Sequence, residues 1–377
     1  MRTLSLSELN RATLGRQLLL RTGALDPVMA VDLLAGLQAQ EPASPFIALW
    51  TRLEDFDPLS LRTAITARRL VKATLMRSTL HLVSADDYRR LLPAVLATLR
   101  TKWMQGPQGR PHDMTLDAIA GRALAFAAQP RTNPQMRDFV ADLDKAVEPL
   151  ALWMRVRRHV PFIHVPNDDG PWAFGRRPAF IDARAWVDGA FAALDASADH
   201  LVARYLEAFG PATMADIAAW SGAPVSLLRP SVERIEGPRR FRDEQGRHLV
   251  DLPDAPLPDP ETPAPVRLLP MWDSVLLAYA DRRRILPEQY RKAVIAKNGD
   301  VAPTVLVDGF VAGTWWAESD GARTRVVVEP FARLPRSTAR AVEDEAERMV
   351  HFIEPLEPRV YSRYRTSGAR FVTVAPD

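Results

Sequence analysis

The chain has 377 residues, 47% of them hydrophobic and 25% charged, a composition that excludes a disordered protein and allows several small cored domains. It contains no cysteine, which excludes disulfides, thiolate nucleophiles and cysteine-based zinc or iron–sulfur sites. Net charge is +3, from 49 basic against 46 acidic residues, so nucleic-acid binding would depend on clustered cations rather than on total charge.

Met1–Glu8 lacks the apolar core of a signal peptide, and no run approaches about 20 apolar residues, so a cytoplasmic protein outside the membrane is expected. The closest histidines, His159 and His164, have no nearby carboxylate until Asp168, so neither a metal nor another cofactor is expected.

Along the chain, helices near 7–22, 27–40, 43–53 and 58–68 are expected first. Asp26-Pro27 reads as an N-cap followed by proline at the first helical position, and Val28, Val31, Leu34 and Leu37 follow at helical spacing. Pro42 disfavours helical geometry at Glu41, so this helix is expected to end near Gln40. Gln38 and Gln40 would then lie about 200° apart in an ideal helix and share a cleft only if the end unwinds. On spacing alone the pair reads as solvated or capping glutamines.

Val71–Met76 and Thr79–Val83 alternate as strands around Arg77-Ser78. A second stretch has a short helix from Asn133 to Val140, a helix from Pro149 to His159 ending in Arg155, Arg157 and Arg158, and strands at Phe162–Val165 and Trp172–Phe174 around Asn167-Asp168-Asp169-Gly170. In a third, one helix ends at Gly210, another starts after Thr213, Pro224 to Arg234 supplies the next, and Phe241–Asp243 with Leu249–Asp251 form a hairpin. This recurring order of helix, turn, helix, basic helix and hairpin is that of a winged helix-turn-helix.

Residues 252–265 are proline-rich and acidic and read as a semi-rigid connector. Beyond them, strands are expected at Val266–Leu269, Val305–Val307, Phe310–Trp316 and Arg325–Glu329, a helix at Thr338–Glu354 and a closing strand near 371–374. Asp308-Gly309 is a two-residue hairpin signal. One of the adjacent Trp315 and Trp316 is expected to face away from the other and to be exposed to a partner or to DNA. The divisions expected are 1–110, 111–190 and 191–252 for three tandem units, 253–265 for the connector and 266–377 for a β-rich module carrying the hairpin 304–316. The fold class is therefore α+β.

Leu37-Gln38-Ala39-Gln40-Glu41-Pro42, continued by Pro45-Phe46-Ile47-Ala48-Leu49-Trp50, resembles the AlkZ-like DNA glycosylases. Thr79-Leu80-His81-Leu82-Val83, Phe209-Gly210-Pro211-Ala212-Thr213, Leu269-Pro270-Met271-Trp272-Asp273 and Val307-Asp308-Gly309-Phe310 are also similar to stretches expected in that family. The resemblance implies tandem winged helices in a C-shaped arrangement around a basic cleft. It also implies Gln38 and Gln40 as catalytic residues and the hairpin residues Val307, Asp308, Gly309 and Phe310 at the lesion.

The implied activity is a metal-free, monofunctional DNA glycosylase. It would act as a monomer on double-stranded DNA bearing alkylated guanine, at the nucleoid. Bulky N7-alkylguanine adducts and interstrand crosslinks are the implied lesions, and self-protection against a genotoxic natural product the implied role.

An N7-alkylated guanine is already a cationic leaving group, so the site needs to orient water and tolerate an oxocarbenium-like transition state. A glutamine cannot act as a general base at neutral pH, but its carbonyl can accept from water. Glu41 is the rival base. Arg68, Arg69, Lys72, Arg77, Arg155, Arg157, Arg158, Arg176, Arg177, Arg239, Arg240 and Arg242 fall at helix ends or wings, and Arg282, Arg283 and Arg284 form a basic run; all are expected to meet phosphates. The alternative function is a non-enzymatic winged-helix DNA-binding or regulatory protein, although three such units without a heptad seam fit a dimeric regulator poorly.

Overall fold

The computed structural model describes residues 1–104, 116–175 and 177–364. Arg176 and the strand expected near 371–374 lie outside the described residues. The chain opens with β1 (Thr3–Leu4) and α1 (Leu6–Arg16), the latter capped by reciprocal Ser5 and Glu8 hydrogen bonds. The helix stops short of residue 22 because Leu18 takes a left-handed φ of 55°.

Three stretches then share one element order of helix, short pairing, two helices and a two-stranded hairpin. The first comprises α2 (Pro27–Leu33), β2 (Leu37–Gln38), α3 (Ser44–Trp50), α4 (Pro58–Thr66), β3 (Leu70–Thr74) and β4 (Leu80–Ser84). Asp26 caps α2 through Val28 N–H, with Pro27 at the first position.

The helix expected to reach Gln40 ends seven residues earlier, at Leu33. Ala35 and Gly36 adopt φ of 56° and 86°, and Gly36 N–H closes on Val31 O at 2.9 Å. A Cβ on Gly36 would stand 2.7 Å from Val83 Cγ1. The chain therefore leaves the helix at the glycine and runs along β4, with Leu37 opposite Leu82 and Gln38 opposite His81.

After α5 (Ala85–Met104), the second repeat comprises α6 (Leu116–Phe126), β5 (Arg131–Thr132), α7 (Asn133–Leu143), α8 (Pro149–His159), β6 (Phe162–Val165) and β7 (Ala179–Asp182). The return strand expected at Trp172–Phe174 is instead β7. Trp172 folds back onto Phe46, ring centroids 5.2 Å apart, and its indole N–H donates to Glu357. Burying that indole outweighs strand pairing at this position.

The third repeat runs through α9 (Leu194–Phe209), the bridge Ala212–Val250, α10 (Met214–Ser221), α11 (Val225–Glu233), β8 (Arg239–Asp243) and β9 (His248–Asp251). β1 joins β8 in parallel. The sheets of the first two repeats fuse into one, in the order β2-β4-β3-β6-β7-β5. The seam is β3 against β6, where Lys72 faces His164 and Ala73 faces Ile163.

Beyond the connector lie β10 (Arg267–Leu269), the helical turn α12 (Arg291–Val294), β11 (Thr304–Val307), β12 (Phe310–Ser319), β13 (Thr324–Pro330) and α13 (Arg336–Ile353). The four strands are consecutive neighbours in one antiparallel sheet. This module shares a core with the first repeat, including Phe46, Ile47, Trp315, Met349 and Tyr361. Both Trp315 and Trp316 are buried, at 0% and 8% exposed, so neither faces a partner as expected. A buried ion pair also joins these parts: Arg52 Nη1 and Nη2 donate to Asp273 at 2.9 and 2.8 Å. The pair fixes the C-terminal module against the helix that follows Gln38 and Gln40.

Candidate active site

Gln38 sits on the edge strand β2 and is buried, 5% exposed. Its Oε1 accepts from Arg77 Nη2 at 2.9 Å, and Arg77 Nη1 donates to the Trp220 carbonyl at 2.6 Å. Arg77 lies in the tight turn between β3 and β4 with a φ of 55°. Burial, with the nearby Arg282, lowers its guanidinium to about 10, still cationic at neutral pH. Opposite Gln38, His81 Nδ1 lies 3.1 Å from the Thr79 carbonyl. That carbonyl can only accept, so Nδ1 carries the hydrogen. Burial, then Arg77, pushes the imidazole down to about 3, leaving it neutral.

Past the end of β2, Gln40 is exposed, and its Oε1 accepts from Leu80 N–H at 2.8 Å. The side chain thereby continues the ladder that Ala39 N–H begins on Leu80 O at 2.7 Å. The donor fixes which end of the amide is oxygen. Each glutamine carbonyl is thus held by one internal donor and keeps a second lone pair. Glu41 is half-buried, 3.4 Å from Arg363. Burial raises its carboxyl above the usual range, against Arg363 and with help from Glu357.

Gln40 and Glu41 form one wall of a cavity of about 760 Å³, whose other walls include Lys72, His164, Trp172 and Phe174. Gln38 is not in that wall, so the two glutamines do not converge on this cavity. Among the described residues, no group of three or more His, Asp or Glu is placed to hold a metal ion, and no helix is long and apolar enough to cross a membrane.

The family model for AlkZ-like DNA glycosylases matches residues 31–352. The chain belongs to this family. The Streptomyces sahachiroi protein described as an interstrand DNA cross-link repair glycosylase is 26% identical to it over 340 residues, 84% of this chain and 88% of that protein. The solved structure of the S. sahachiroi DNA glycosylase AlkZ matches with a TM-score of 0.73 at 22% identity, covering 92% of this chain and 96% of that one, a likeness of fold.

On this AlkZ-like fold the expected phosphate-binding cations separate into groups. Arg68, Arg69, Arg240 and Arg242 are exposed; Arg68 stacks 4.1 Å over Trp186, and Arg69 lies 3.3 Å from Asp26. Arg155, Arg157 and Arg158 are half-buried on the last turns of α8, and Arg282 is half-buried after Asp281. Arg177 and Arg283 are exposed but paired with Asp169 and Asp281, each at 2.6 Å.

Three more are engaged or buried within the fold. Arg284 is buried, donates to Pro211 O at 3.1 Å and stacks 3.9 Å over Tyr279, so it braces the interior. Arg239 is held by Asp251 and the Ala255 carbonyl, and Asp251 is the carboxylate that also binds Arg16. Lys72 is 5% exposed and faces the cavity.

The hairpin at Val307, Asp308, Gly309 and Phe310 forms with positive φ at Asp308 and Gly309, but its tip docks on α1. Arg11 pairs with Asp308 at 2.6 Å and Asn10 donates to Gly309 O at 2.8 Å. The Asp308 side chain nevertheless stays largely exposed at the tip. Sequence reasoning missed His81, His164, Trp172 and Phe174 around the glutamines.

Proposed function

We propose that the chain is a monofunctional DNA glycosylase that hydrolyses the N-glycosidic bond of N7-alkylguanine in duplex DNA, bulky adducts and interstrand crosslinks included. In this reading the three repeats are winged-helix units near 1–110, 111–190 and 191–252, arranged in a C around one duplex and acting as a monomer. Arg68, Arg240, Arg242 and the α8 cations supply phosphate contacts.

The observation that carries the reading is the immobilised pair of amides, with Gln38 held by Arg77 and Gln40 by Leu80 N–H. Each keeps a second lone pair, which suits ordering water and stabilising positive charge at the anomeric carbon, Gln40 from the cavity wall and Gln38 from the edge strand β2 beside it. The cationic base needs little acid assistance, so the neutrality of glutamine and of His81 is no obstacle. Water is the attacking group, and borohydride trapping is expected to capture no covalent complex, at Lys72 or elsewhere.

The test is release of free N7-methylguanine from duplex DNA by folded Gln38→Ala and Gln40→Ala proteins. A fall of about 10²-fold is expected for at least one. Wild-type release by both overturns the assignment. Sequence-specific footprinting with no base release by the wild-type protein would instead support the regulatory alternative.

A further inference from the structure

We propose that the cavity beside Gln40 receives the N7 substituent of the damaged base and selects planar aromatic substituents bearing a hydrogen-bond acceptor. This inference rests on the glycosylase reading and adds the substrate class. The cavity, about 760 Å³, is in the range of small-molecule sites, and Gln40 and Glu41 connect it to the residues assigned to bond cleavage. One side is aromatic, with Trp172 and Phe174 5% and 9% exposed. Trp172 is fixed there by its packing on Phe46 and its bond to Glu357.

Two polar side chains more than nine-tenths buried stand beside these rings, Lys72 at 5% and His164 at 7% exposed. They are opposite each other across the β3–β6 seam. The Lys72 ammonium lies 4.7 Å over the Phe174 ring, and no carboxylate comes within ion-pair distance of it among the described residues. The His164 Nε2 is buried without a hydrogen-bond partner there. Burial, Lys72 and Arg157 all act to keep that imidazole neutral. A buried polar atom without a partner, as His164 Nε2 is, is a costly arrangement that a polar group on a ligand relieves. A flat ring in the cavity would meet Phe174 and Trp172, and an acceptor on it would meet Lys72. The carboxylate of Glu41 on the same wall offsets the charge of Lys72 toward a cationic base.

The test uses the full chain and three duplexes carrying N7-methyl-, N7-benzyl- or N7-phenacylguanine at one position. Phenacyl differs from benzyl by the acceptor carbonyl, and benzyl from methyl by the ring. The wild-type kcat/KM is expected to rise from methyl to benzyl to phenacyl. Lys72→Met, which removes a buried charge at similar length, is expected to lower the phenacyl-to-benzyl ratio about tenfold, and Phe174→Leu the benzyl-to-methyl ratio by a similar factor. Circular dichroism melts establish that both variants fold. Equal rates on all three substrates, or ratios unmoved by both variants, overturn the inference while the glycosylase reading stands. Release from none of the three overturns the reading and this inference with it.

Discussion

Arg77 donates to the Gln38 carbonyl at 2.9 Å and to the Trp220 carbonyl at 2.6 Å, so one guanidinium ties the edge strand of the first repeat to α10 of the third. The contact makes the orientation of Gln38 depend on how two repeats sit together. It also places a cation beside an amide proposed to face developing positive charge, so in that proposal the donor has to act through geometry.

Arg77→Met is therefore expected to lower kcat for N7-methylguanine release about tenfold with little change in KM. In a Gln38→Ala background the same change is expected to add almost nothing, because the residues act as one unit. Additive losses in that double-mutant cycle would show that Arg77 works independently of Gln38, for instance on a phosphate.

Gly36 fixes the place where α2 yields to β2. Its φ of 86° and the 2.7 Å approach of Val83 Cγ1 to a would-be Cβ leave no room for alanine. Gly36→Ala is expected to destabilise the protein by about 1–3 kcal/mol and to lower base release further than the stability loss explains. Urea melts and activity at matched folded fraction separate the two effects.

The same residue marks where the sequence was misread. Val28, Val31, Leu34 and Leu37 keep helical spacing, so periodicity carries the helix past its real end. The break is set by Gly36 packing on β4, a contact between distant segments that local pattern does not encode. Where local chemistry decides, the reading was closer. α8 runs from Pro149 to His159 as expected, with Glu148 accepting from Leu150 and Ala151 N–H at 2.9 and 2.6 Å. The pairing of Gln38 with His81 depends on sheet register. The cavity depends on how Trp172 folds back, and neither has a signal in spacing.

Lys72 offers a pH-dependent stability test. Burial lowers its ammonium from 10.5 to about 8, with Glu41 acting in the opposite direction. Between those two values the unfolded chain holds more protons than the folded one, so this group's contribution to stability rises with pH across the window. Below pH 8 the folded protein carries the whole penalty. Lys72→Met is expected to stabilise by roughly 1–3 kcal/mol at pH 7, an advantage that shrinks above pH 8 and is gone near 10.5. Urea melts of both proteins at pH 7, 9 and 10 measure it, and a constant difference would contradict the buried charge.

Asp273 and Arg52 are each about 1% exposed at their side chains. Asp273→Asn leaves a buried guanidinium without a counter-charge, with one amide oxygen at position 273 and the Gln17 and Ala48 carbonyls, each at 3.0 Å, as acceptors. A loss of about 3–5 kcal/mol is expected, and replacing both partners by apolar residues is expected to lose less. Chemical denaturation of the single and double variants decides between a costly unpaired charge and a pair of little consequence.

Glu41 separates the two accounts of water activation. Burial first, and then Glu357, raise its carboxyl above 4.5 despite Arg363 at 3.4 Å, so its negative charge is lost on acidification at a higher pH than for a free carboxylate. If the carboxylate only favours the cationic base electrostatically, Glu41→Gln is expected to lower release severalfold and to remove the acid limb of the kcat/KM profile. A loss as deep as that of Gln38→Ala, with the same limb removed, would make Glu41 the base and reduce the glutamines to holding its water. The decisive measurement is the pH profile of Glu41→Gln beside that of Gln38→Ala. A neutral amide has no proton to lose on that limb, so Gln38→Ala is expected to keep the acid limb that Glu41→Gln removes.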